Sequence, residues 1–241
     1  MIVVIGLPAY VGLAGGEGSA GGLAVDVAAA AAALGSSVEL VGKVGDDGAG
    51  DAVVLALGRL GVGHAALLRD PARSTPVLSA LVAVTEPDSA GQGADGLAAD
   101  ALTADALAVD RGDDVPRGEV ELLPVDPAAR PGLEAGDISL ALSYLAEMRV
   151  VVLAEPLSEV AVAAVVEGAT FGGARLVVLL PPGATPASLP PEATLLEAPV
   201  VDDGSFGRVV GAFAAGLDAG AEAAVAFAEA VGASGWEPVA D

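Results

Sequence analysis

Three aspartates beside glycines are the residues of this sequence best placed to do chemistry. Asp26 follows the pair Gly21-Gly22 and lies at the start of an alanine-rich run, while Asp202 and Asp203 precede Gly204 and a second such run. Each set therefore lies where a helix is predicted to begin, and backbone N–H groups at a helix start favour anions. An aspartate there can accept hydrogen bonds from the hydroxyls of a ligand. Asp202 and Asp203 are better explained as N-cap or first-turn carboxylates of their own helix, whereas Asp26 is equally well explained as a polar residue at the start of a buried alanine-rich helix.

A second glycine pattern allows a different interpretation. The segment Gly16-Glu17-Gly18-Ser19-Ala20-Gly21 satisfies the G-x-G-x-x-G pattern of dinucleotide-binding folds, and Glu39 lies at a suitable distance for a ribose-binding acid. Against it, about ten residues separate the first predicted strand from Gly16, where the fingerprint requires almost none, and Glu39 lies inside a predicted strand. Chance matches are also common among 33 glycines, and no G-x-x-x-x-G-K-[ST] sequence is present. The dinucleotide site is therefore the lesser alternative.

The sequence offers few residues for metal or nucleophilic chemistry. His64 is the only histidine and there is no cysteine, which excludes multi-histidine sites, zinc-thiolate sites and disulfides. No partner for Ser–His catalysis is evident, and we predict that His64 is a solvated turn residue. The pairs Asp46-Asp47 and Asp113-Asp114 lack calcium-loop spacing, so solvated charge explains them better than a metal site. We assign no metal ligands.

Short β-branched runs and longer alanine-rich runs alternate along most of the chain. With only 3% aromatic residues, the core must consist of Ala, Val and Leu, which suits buried parallel strands covered by helices. The predicted strands are residues 2–5, 38–44, 76–84, 150–153, 176–180 and 194–201. The predicted helices are residues 25–34, 49–60, 137–147, 156–167, with Pro156 in the first helical position, 206–217 and 221–231. This order predicts an α/β fold with a doubly wound sheet flanked by helices.

The alternation stops at an acidic segment, residues 86–126, which is rich in Asp, Gly and Pro and has no sustained apolar face. We predict a mobile insertion there. It lies within a single domain of residues 1–241, since 54% hydrophobic residues over this length suffice for one large core.

Charge and hydropathy limit the partners of the protein. The formal net charge of −23 repels nucleic-acid phosphates and anionic lipids, so we expect neither as a partner. Residues 1–16 and 176–191 are uncharged but are interrupted by proline, so we expect no signal peptide, no spanning helix and a cytoplasmic location.

Several segments resemble the signatures of the PfkB, or ribokinase-like, carbohydrate kinases. Residues 21–28 with Gly35 and Gly45 follow the spacing of the first signature, and residues 41–50 are similar to a conserved segment of the family. Residues 69–76 are similar to the segment before the family's sugar-facing strands, and residues 201–217 align with the second signature and its helix. The resemblance covers most of the chain and implies the ribokinase-like fold.

In this family the second signature forms an anion hole for the transferred phosphoryl group, and its last Asp deprotonates the sugar hydroxyl. The resemblance places the anion hole at Gly204, Ser205, Phe206 and Gly207. Gly207 occupies the position of the base and has no proton acceptor, while Phe206 replaces a glycine and would crowd a phosphate. Asp202 and Asp203 are possible surrogate bases, but either would have to reach across the turn.

The sugar-binding and nucleotide-binding segments also depart from the family. The resemblance implies substrate binding at Gly21, Gly22 and Asp26, with Asp26 in the place of a family Asn. Val11 replaces an Asp that binds sugar hydroxyls. The stretch from Val11 to Gly21 is too short for lid strands, so the lid is expected to be reduced or absent. Residues 180–202 lack the family's Asn-x-x-Glu element and its adenine-binding strand.

Two functional hypotheses follow from these departures. In the first, the protein is a degenerate member of the family, a pseudokinase without an assigned cofactor, which binds a sugar, a nucleoside or a partner. In the second, it is an active phosphotransferase that uses ATP and Mg²⁺ on an alcohol group of a sugar or nucleoside, with a relocated base. Residue chemistry favours the first and fold analogy the second. The sequence does not indicate an oligomeric state.

Overall fold

The computed structural model describes residues 1–12, 18–80, 120–121, 129–184, 189–199 and 204–234 of the chain. Its strands are β1 (Ile2–Ile5), β2 (Ala9–Gly12), β3 (Ser19–Gly21), β4 (Val38–Gly45), β5 (Leu67–Asp70), β6 (Val77–Ala80), β7 (Val120–Glu121), β8 (Val150–Leu153), β9 (Arg175–Leu180) and β10 (Thr194–Glu197). Its helices are α1 (Leu23–Ala33), α2 (Gly48–Arg59), α3 (Ala135–Tyr144), α4 (Glu159–Gly172), α5 (Ser205–Asp218) and α6 (Ala223–Ser234). The predicted alternation of strands and helices is confirmed.

Six of the described strands form one parallel sheet in the order β10-β9-β8-β1-β4-β5. The central strand is β1, in which Ile2 lies opposite Val38 of β4 on one side and Val150 of β8 on the other. The helix that follows β1, α1, and the helix that follows β8, α4, cover opposite faces of the sheet. The carboxyl ends of β1 and β8 are therefore the topological switch point, which is where doubly wound sheets bind ligands.

Alternate residues of β1 face two separate apolar cores. Ile2 and Val4 pack in the core beneath α1, α2, α5 and α6, whereas Val3 and Ile5 pack in the core beneath α3 and α4. All four side chains are fully buried, which explains why the strand is a continuous apolar run.

A second, smaller sheet begins where β1 ends. β2 pairs with β3 in antiparallel and with β6 in parallel orientation, and β6 pairs with β7. The expectation that the stretch from Val11 to Gly21 is too short for strands is wrong, because an antiparallel pair needs only a short connection. β2 has four residues and β3 has three, so a lid-like sheet is present in reduced form.

Some predicted boundaries differ from the observed ones. The helix predicted to begin at Pro156 begins at Glu159, because the side chain of Ser158 accepts a hydrogen bond from the Ala161 N–H and caps the helix there. The strand predicted at residues 194–201 ends at Glu197. β2, β3 and β5 were not predicted, since each is short and only partly buried.

Most of the predicted acidic insertion, residues 86–126, lies outside the described residues, which include only Val120–Glu121 of it. Its predicted mobility stays a prediction. In the part of the chain that the structure describes, no helix has both the length and the apolar character needed to cross a membrane.

Candidate functional site

A glutamate lies at the switch point of the sheet. Glu155 follows β8, and its carboxylate accepts a hydrogen bond from the backbone N–H of Leu7, which follows β1. Gly6 lets α1 approach the end of β1, since a Cβ on Gly6 would lie 2.7 Å from the Cβ of Ala24 and 3.8 Å from the Cγ of Glu155. We call the space bordered by Gly6, Leu7, Glu155 and the start of α1 the crevice.

The environment of Glu155 favours its protonated form. Burial raises the pKa of Glu155 above its ordinary value, because the charged carboxylate loses hydration. The hydrogen bond from Leu7 and the positive charge of Arg130 lower this pKa, but by less. A carboxyl group of this kind is suited to hydrogen bonding and proton exchange with a ligand hydroxyl. The sequence analysis missed Glu155, although its position directly after an apolar strand was an available signal.

The predicted substrate-binding glycines lie beside the crevice. Gly22 is the N-cap of α1 with φ 100°, a backbone conformation that favours glycine, and its carbonyl accepts hydrogen bonds from the N–H groups of Val25 and Asp26. A Cβ on Gly22 would lie 3.6 Å from the carbonyl oxygen of Leu7. Gly21 is buried against the side chain of Val11. The structure thus brings Gly21 and Gly22 to the loop that contacts Glu155.

Helix α5 packs against α1 through two glycines one turn apart. A Cβ on Gly207 would lie 2.6 Å from the Cβ of Asp26, and a Cβ on Gly211 would lie 2.6 Å from both the Cβ of Ala30 and the carbonyl oxygen of Val27. Residues four apart share a helix face, so this face of α5 can approach α1 only where side chains are missing. Asp26 therefore occupies the space into which a side chain at position 207 would extend.

The predicted anion hole is the first turn of α5. Gly204 is the N-cap with φ 82°, and Ser205, Phe206 and Gly207 follow. The N–H groups of a first helical turn have no acceptor within their own helix, which makes such a turn suitable for an anion. Phe206 is half-buried and packs against the core that contains α1. The crowding predicted for Phe206 stays a prediction, and the possible surrogate bases at positions 202 and 203 lie outside the described residues.

A partly buried hydrogen-bond network joins the small sheet to the large one. Asp47 is the N-cap of α2, and its carboxylate accepts hydrogen bonds from the N–H of Gly50 at 2.8 Å, the N–H of Thr75 at 2.9 Å and the hydroxyl of Thr75 at 2.7 Å. The Thr75 hydroxyl accepts in turn from the N–H of Gly45. Desolvation acts to raise the pKa of Asp47, but these hydrogen bonds and the charge of Arg69 outweigh it and lower the pKa. The expectation that Asp47 is merely solvated charge is therefore wrong.

The dinucleotide alternative does not fit the geometry. Glu39 lies at the amino end of β4, away from the crevice, and its carboxylate accepts a hydrogen bond from the N–H of Ala65. Strand β2 also separates β1 from the glycine pattern. His64 is half-buried, with Nδ1 3.4 Å from the carbonyl oxygen of Val62, and is therefore less solvated than predicted. Within the described ranges, no three His, Asp or Glu side chains lie together as a metal site requires.

Comparison with known proteins identifies the fold. No protein-family model matches the chain, and no curated protein matches it. The structure of Arabidopsis thaliana ribokinase complexed with ribose and ATP is 14% identical, with a TM-score of 0.57 over 97% of this chain and 90% of that chain. Aminoimidazole riboside kinase from Salmonella enterica, complexed with aminoimidazole riboside and an ATP analogue, is also 14% identical, with a TM-score of 0.59. This match likewise covers 97% of this chain and 90% of that chain.

A third similar structure is an uncharacterised sugar kinase from Pyrococcus horikoshii in complex with ATP, which is 18% identical with a TM-score of 0.47. The match covers 75% of this chain, which spans only about half of that kinase, 53%. The similarities to ribokinase and to aminoimidazole riboside kinase show that this chain has the ribokinase-like fold, as the sequence predicted.

Proposed function

We propose that this protein is a degenerate PfkB, or ribokinase-like, carbohydrate kinase that binds a small sugar or nucleoside in the crevice without phosphoryl transfer. The observation that carries this proposal is the contact between Gly207 and Asp26. A ribokinase-type reaction needs a proton acceptor beside the attacking hydroxyl. Gly207 provides none, and the neighbouring Asp26 leaves no room for a side chain at that position.

Three groups at the crevice support the binding of a ligand. Glu155 offers a carboxyl group at the switch point, and Gly22 allows close approach of a ligand to the start of α1. Arg130 provides a positive charge near Glu155, since that charge lowers the Glu155 pKa. These groups suit the hydroxyls of a small polar molecule, so loss of the base need not abolish binding.

A second candidate function, an active kinase, is favoured by Glu155 itself. A carboxyl group with a raised pKa at the carboxyl edge of the sheet could accept the hydroxyl proton that position 207 cannot. In this alternative the first turn of α5 would bind the phosphates of ATP, which would supply the phosphoryl group. The described residues contain no metal-binding cluster, and we assign no side chain to Mg²⁺.

Melting temperatures and ADP formation distinguish the two functions. We expect ribose or adenosine to raise the melting temperature of the protein, since a ligand at a hundred times its Kd stabilises by about 2.7 kcal/mol. Glu155→Gln should weaken this response, whereas Glu229→Gln, at an exposed position of α6, should not. Incubation with MgATP should produce no ligand-dependent ADP.

Each contrary result has a defined meaning. Ligand-dependent ADP formation that is lost in Glu155→Gln would establish an active kinase with Glu155 as its base. Formation that survives this change but is lost in Asp202→Ala or Asp203→Ala would place the base there. No response to any sugar, nucleoside or nucleotide would overturn both functions.

A further inference from the structure

We propose that the protein binds a small organic phosphate in a second cavity, at the edge of the large sheet opposite the crevice. This cavity, which we call the rear cavity, has a volume of about 320 Å³. It is lined by two arginines, Arg149 and Arg175, by Gly173 at the end of α4 and by the end of α5. None of the described groups that border the crevice lines it, so this inference does not depend on the proposed function.

Strand pairing brings the two arginines together. Arg149 directly precedes β8 and Arg175 is the first residue of β9, and the N–H of Arg175 donates a hydrogen bond to the carbonyl of Arg149 at 2.8 Å. The two strands are parallel, so both arginines lie at the amino edge of the sheet. Glu155 lies beyond the carboxyl end of β8. The rear cavity and the crevice are therefore at opposite edges of the sheet.

The turn that ends α5 forms the other wall of the rear cavity. The N–H of Gly220, with φ 94°, donates to the carbonyl of Leu217, and the N–H of Ala221 donates to that of Gly216, both at 3.0 Å. Carbonyl groups at the end of a helix carry a negative partial charge and repel an anion. Because these two carbonyls are already hydrogen-bonded, this repulsion is reduced.

In the described structure, one hydrogen bond anchors each arginine to this turn. An η nitrogen of Arg149 lies 3.0 Å from the carbonyl oxygen of Asp218, and an η nitrogen of Arg175 lies 2.6 Å from that of Ala221. A guanidinium group has five N–H donors, so one bond to the backbone fixes its position and leaves donors for a ligand. Both arginines are exposed, and neither forms an ion pair within the part of the chain that the structure describes.

The rear cavity carries an excess of positive charge. Asp218 is the one acidic residue among the described residues of its lining, and the amino group of Met1 lies 2.8 Å from its carboxylate. That ion pair compensates the charge of Asp218, so the two guanidinium charges remain uncompensated. The formal net charge of the whole protein is −23, which makes a cationic cavity a local feature instead of a general property of the surface.

Charge, shape and volume together indicate the class of ligand. Guanidinium groups bind phosphate through two parallel hydrogen bonds, and two of them can neutralise a phosphate dianion. Cavities that bind small molecules begin at about 300 Å³, so the rear cavity has room for a small organic group in addition to the phosphate. Leu217 offers an apolar contact to that group. Glycerol 3-phosphate has these features.

The test is a titration of the protein with glycerol 3-phosphate at constant ionic strength, followed through backbone amide signals in NMR spectra. We expect saturable shifts of the Gly173 and Gly220 signals, whereas glycerol, which lacks the charge, should cause none. Arg149→Gln and Arg175→Gln should each weaken binding about tenfold or more, because a charged hydrogen bond is lost. Arg59→Gln is the matched control: Arg59 ends α2 outside the lining, so this variant loses the same charge and should keep the affinity.

Three results would overturn this inference. The first is the absence of saturable shifts in the unsubstituted protein, a result that does not depend on the folding of any variant. The second is saturable shifts at residues 205–207 and none at Gly173 or Gly220, which would place the phosphate at the start of α5. The third is an affinity that is the same in all three variants, which would show that Arg149 and Arg175 make no specific contact with the phosphate. Each of these results leaves sugar binding in the crevice untouched, since ribose carries no phosphate.

Discussion

Gly207 lies against Asp26, so closely that a Cβ on Gly207 would be 2.6 Å from the Cβ of Asp26. The sequence resemblance predicts that the first residue occupies the position of the base in a ribokinase-type enzyme and that the second residue binds sugar. Gly207 itself has no proton acceptor, and the close contact between α1 and α5 requires a residue without a Cβ at this position. Introducing a carboxylate at position 207 by substitution would disrupt the packing that the glycine permits.

Substitution of Gly207 should destabilise the protein without creating activity. We expect Gly207→Ala to lower the free energy of unfolding by about 1–3 kcal/mol, because overpacking forces α1 and α5 apart. Gly207→Asp should lower the free energy of unfolding further, because its side chain is larger. This variant should still produce no ADP with a sugar and MgATP. Urea unfolding and an ADP assay measure the two effects.

Gly232→Ala is the control for this substitution. Gly232 lies in α6 with no atom near the position of an added Cβ, so the change should be neutral or stabilise by about 0.5–1 kcal/mol through helix propensity. A Gly207→Ala protein as stable as Gly232→Ala would show that α1 and α5 are not in close contact at this point.

Glu155 should make stability decrease as the pH rises. Burial raises the pKa of Glu155 in the folded protein, so between the ordinary glutamate pKa, about 4.3, and the raised value the folded state binds more protons than the unfolded state. The stabilising contribution is complete below this window and is lost as the pH rises through the raised pKa. Urea unfolding from pH 4 to 8 should show a decline that is smaller in Glu155→Gln.

The difference between the pH profiles of the wild-type protein and Glu155→Gln reports on Glu155 alone, because both proteins contain all the other carboxylates. Parallel pH profiles would mean that the Glu155 carboxylate is not desolvated, and would remove the reason for considering it as a base.

Removal of the Thr75 hydroxyl should destabilise the attachment of the small sheet. Thr75→Val leaves Asp47 and the N–H of Gly45 each without one hydrogen-bond partner, at a cost of about 1–3 kcal/mol. The pKa of Asp47 should then rise towards its ordinary value. In the wild-type protein, the stabilising contribution of the Asp47 carboxylate is lost as the pH falls through its lowered pKa. In Thr75→Val this loss should occur at a higher pH, because the pKa is higher.

Thr75→Ser keeps the hydroxyl and serves as the control in the same acid titration. Equal losses of stability in the Ser and Val variants would assign the effect to the methyl group of Thr75 instead of its hydrogen bonds.

Lys43 and Asp137 should show a measurable coupling energy. The Lys43 ammonium lies 2.5 Å from the Asp137 carboxylate, and the side chains are only 14% and 22% exposed. The same carboxylate accepts a hydrogen bond from the backbone N–H of Glu134, which caps the start of α3. Asp137→Asn therefore also weakens this capping hydrogen bond. A double-mutant cycle of Lys43→Met with Asp137→Asn removes that contribution and should give about 0.5–3 kcal/mol. Additive effects would show that the pair does not stabilise the link between β4 and α3.

The sequence predicted the order of strands and helices in the large sheet well. Ile2–Ile5 and Val150–Leu153 are short, continuous apolar runs rich in β-branched residues, which is typical of buried parallel strands. In the small sheet, β6 lies within the predicted strand at residues 76–84, whereas β2 and β3 were missed because they are short and partly buried, so their pattern is too weak to distinguish from a loop. The start of α4 was predicted at Pro156, whereas the cap formed by the Ser158 side chain places it at Glu159.

The amino-acid sequence by itself determined that position 207 has no proton acceptor, because that depends only on residue type. Only the tertiary structure decided that Asp26 occupies the adjacent space and that Glu155 lies half-buried beside Leu7. Apolar periodicity is a local property that a short segment displays alone. Close packing and desolvation, in contrast, arise between residues far apart in the chain, and they exist only once the helices are packed on the sheet.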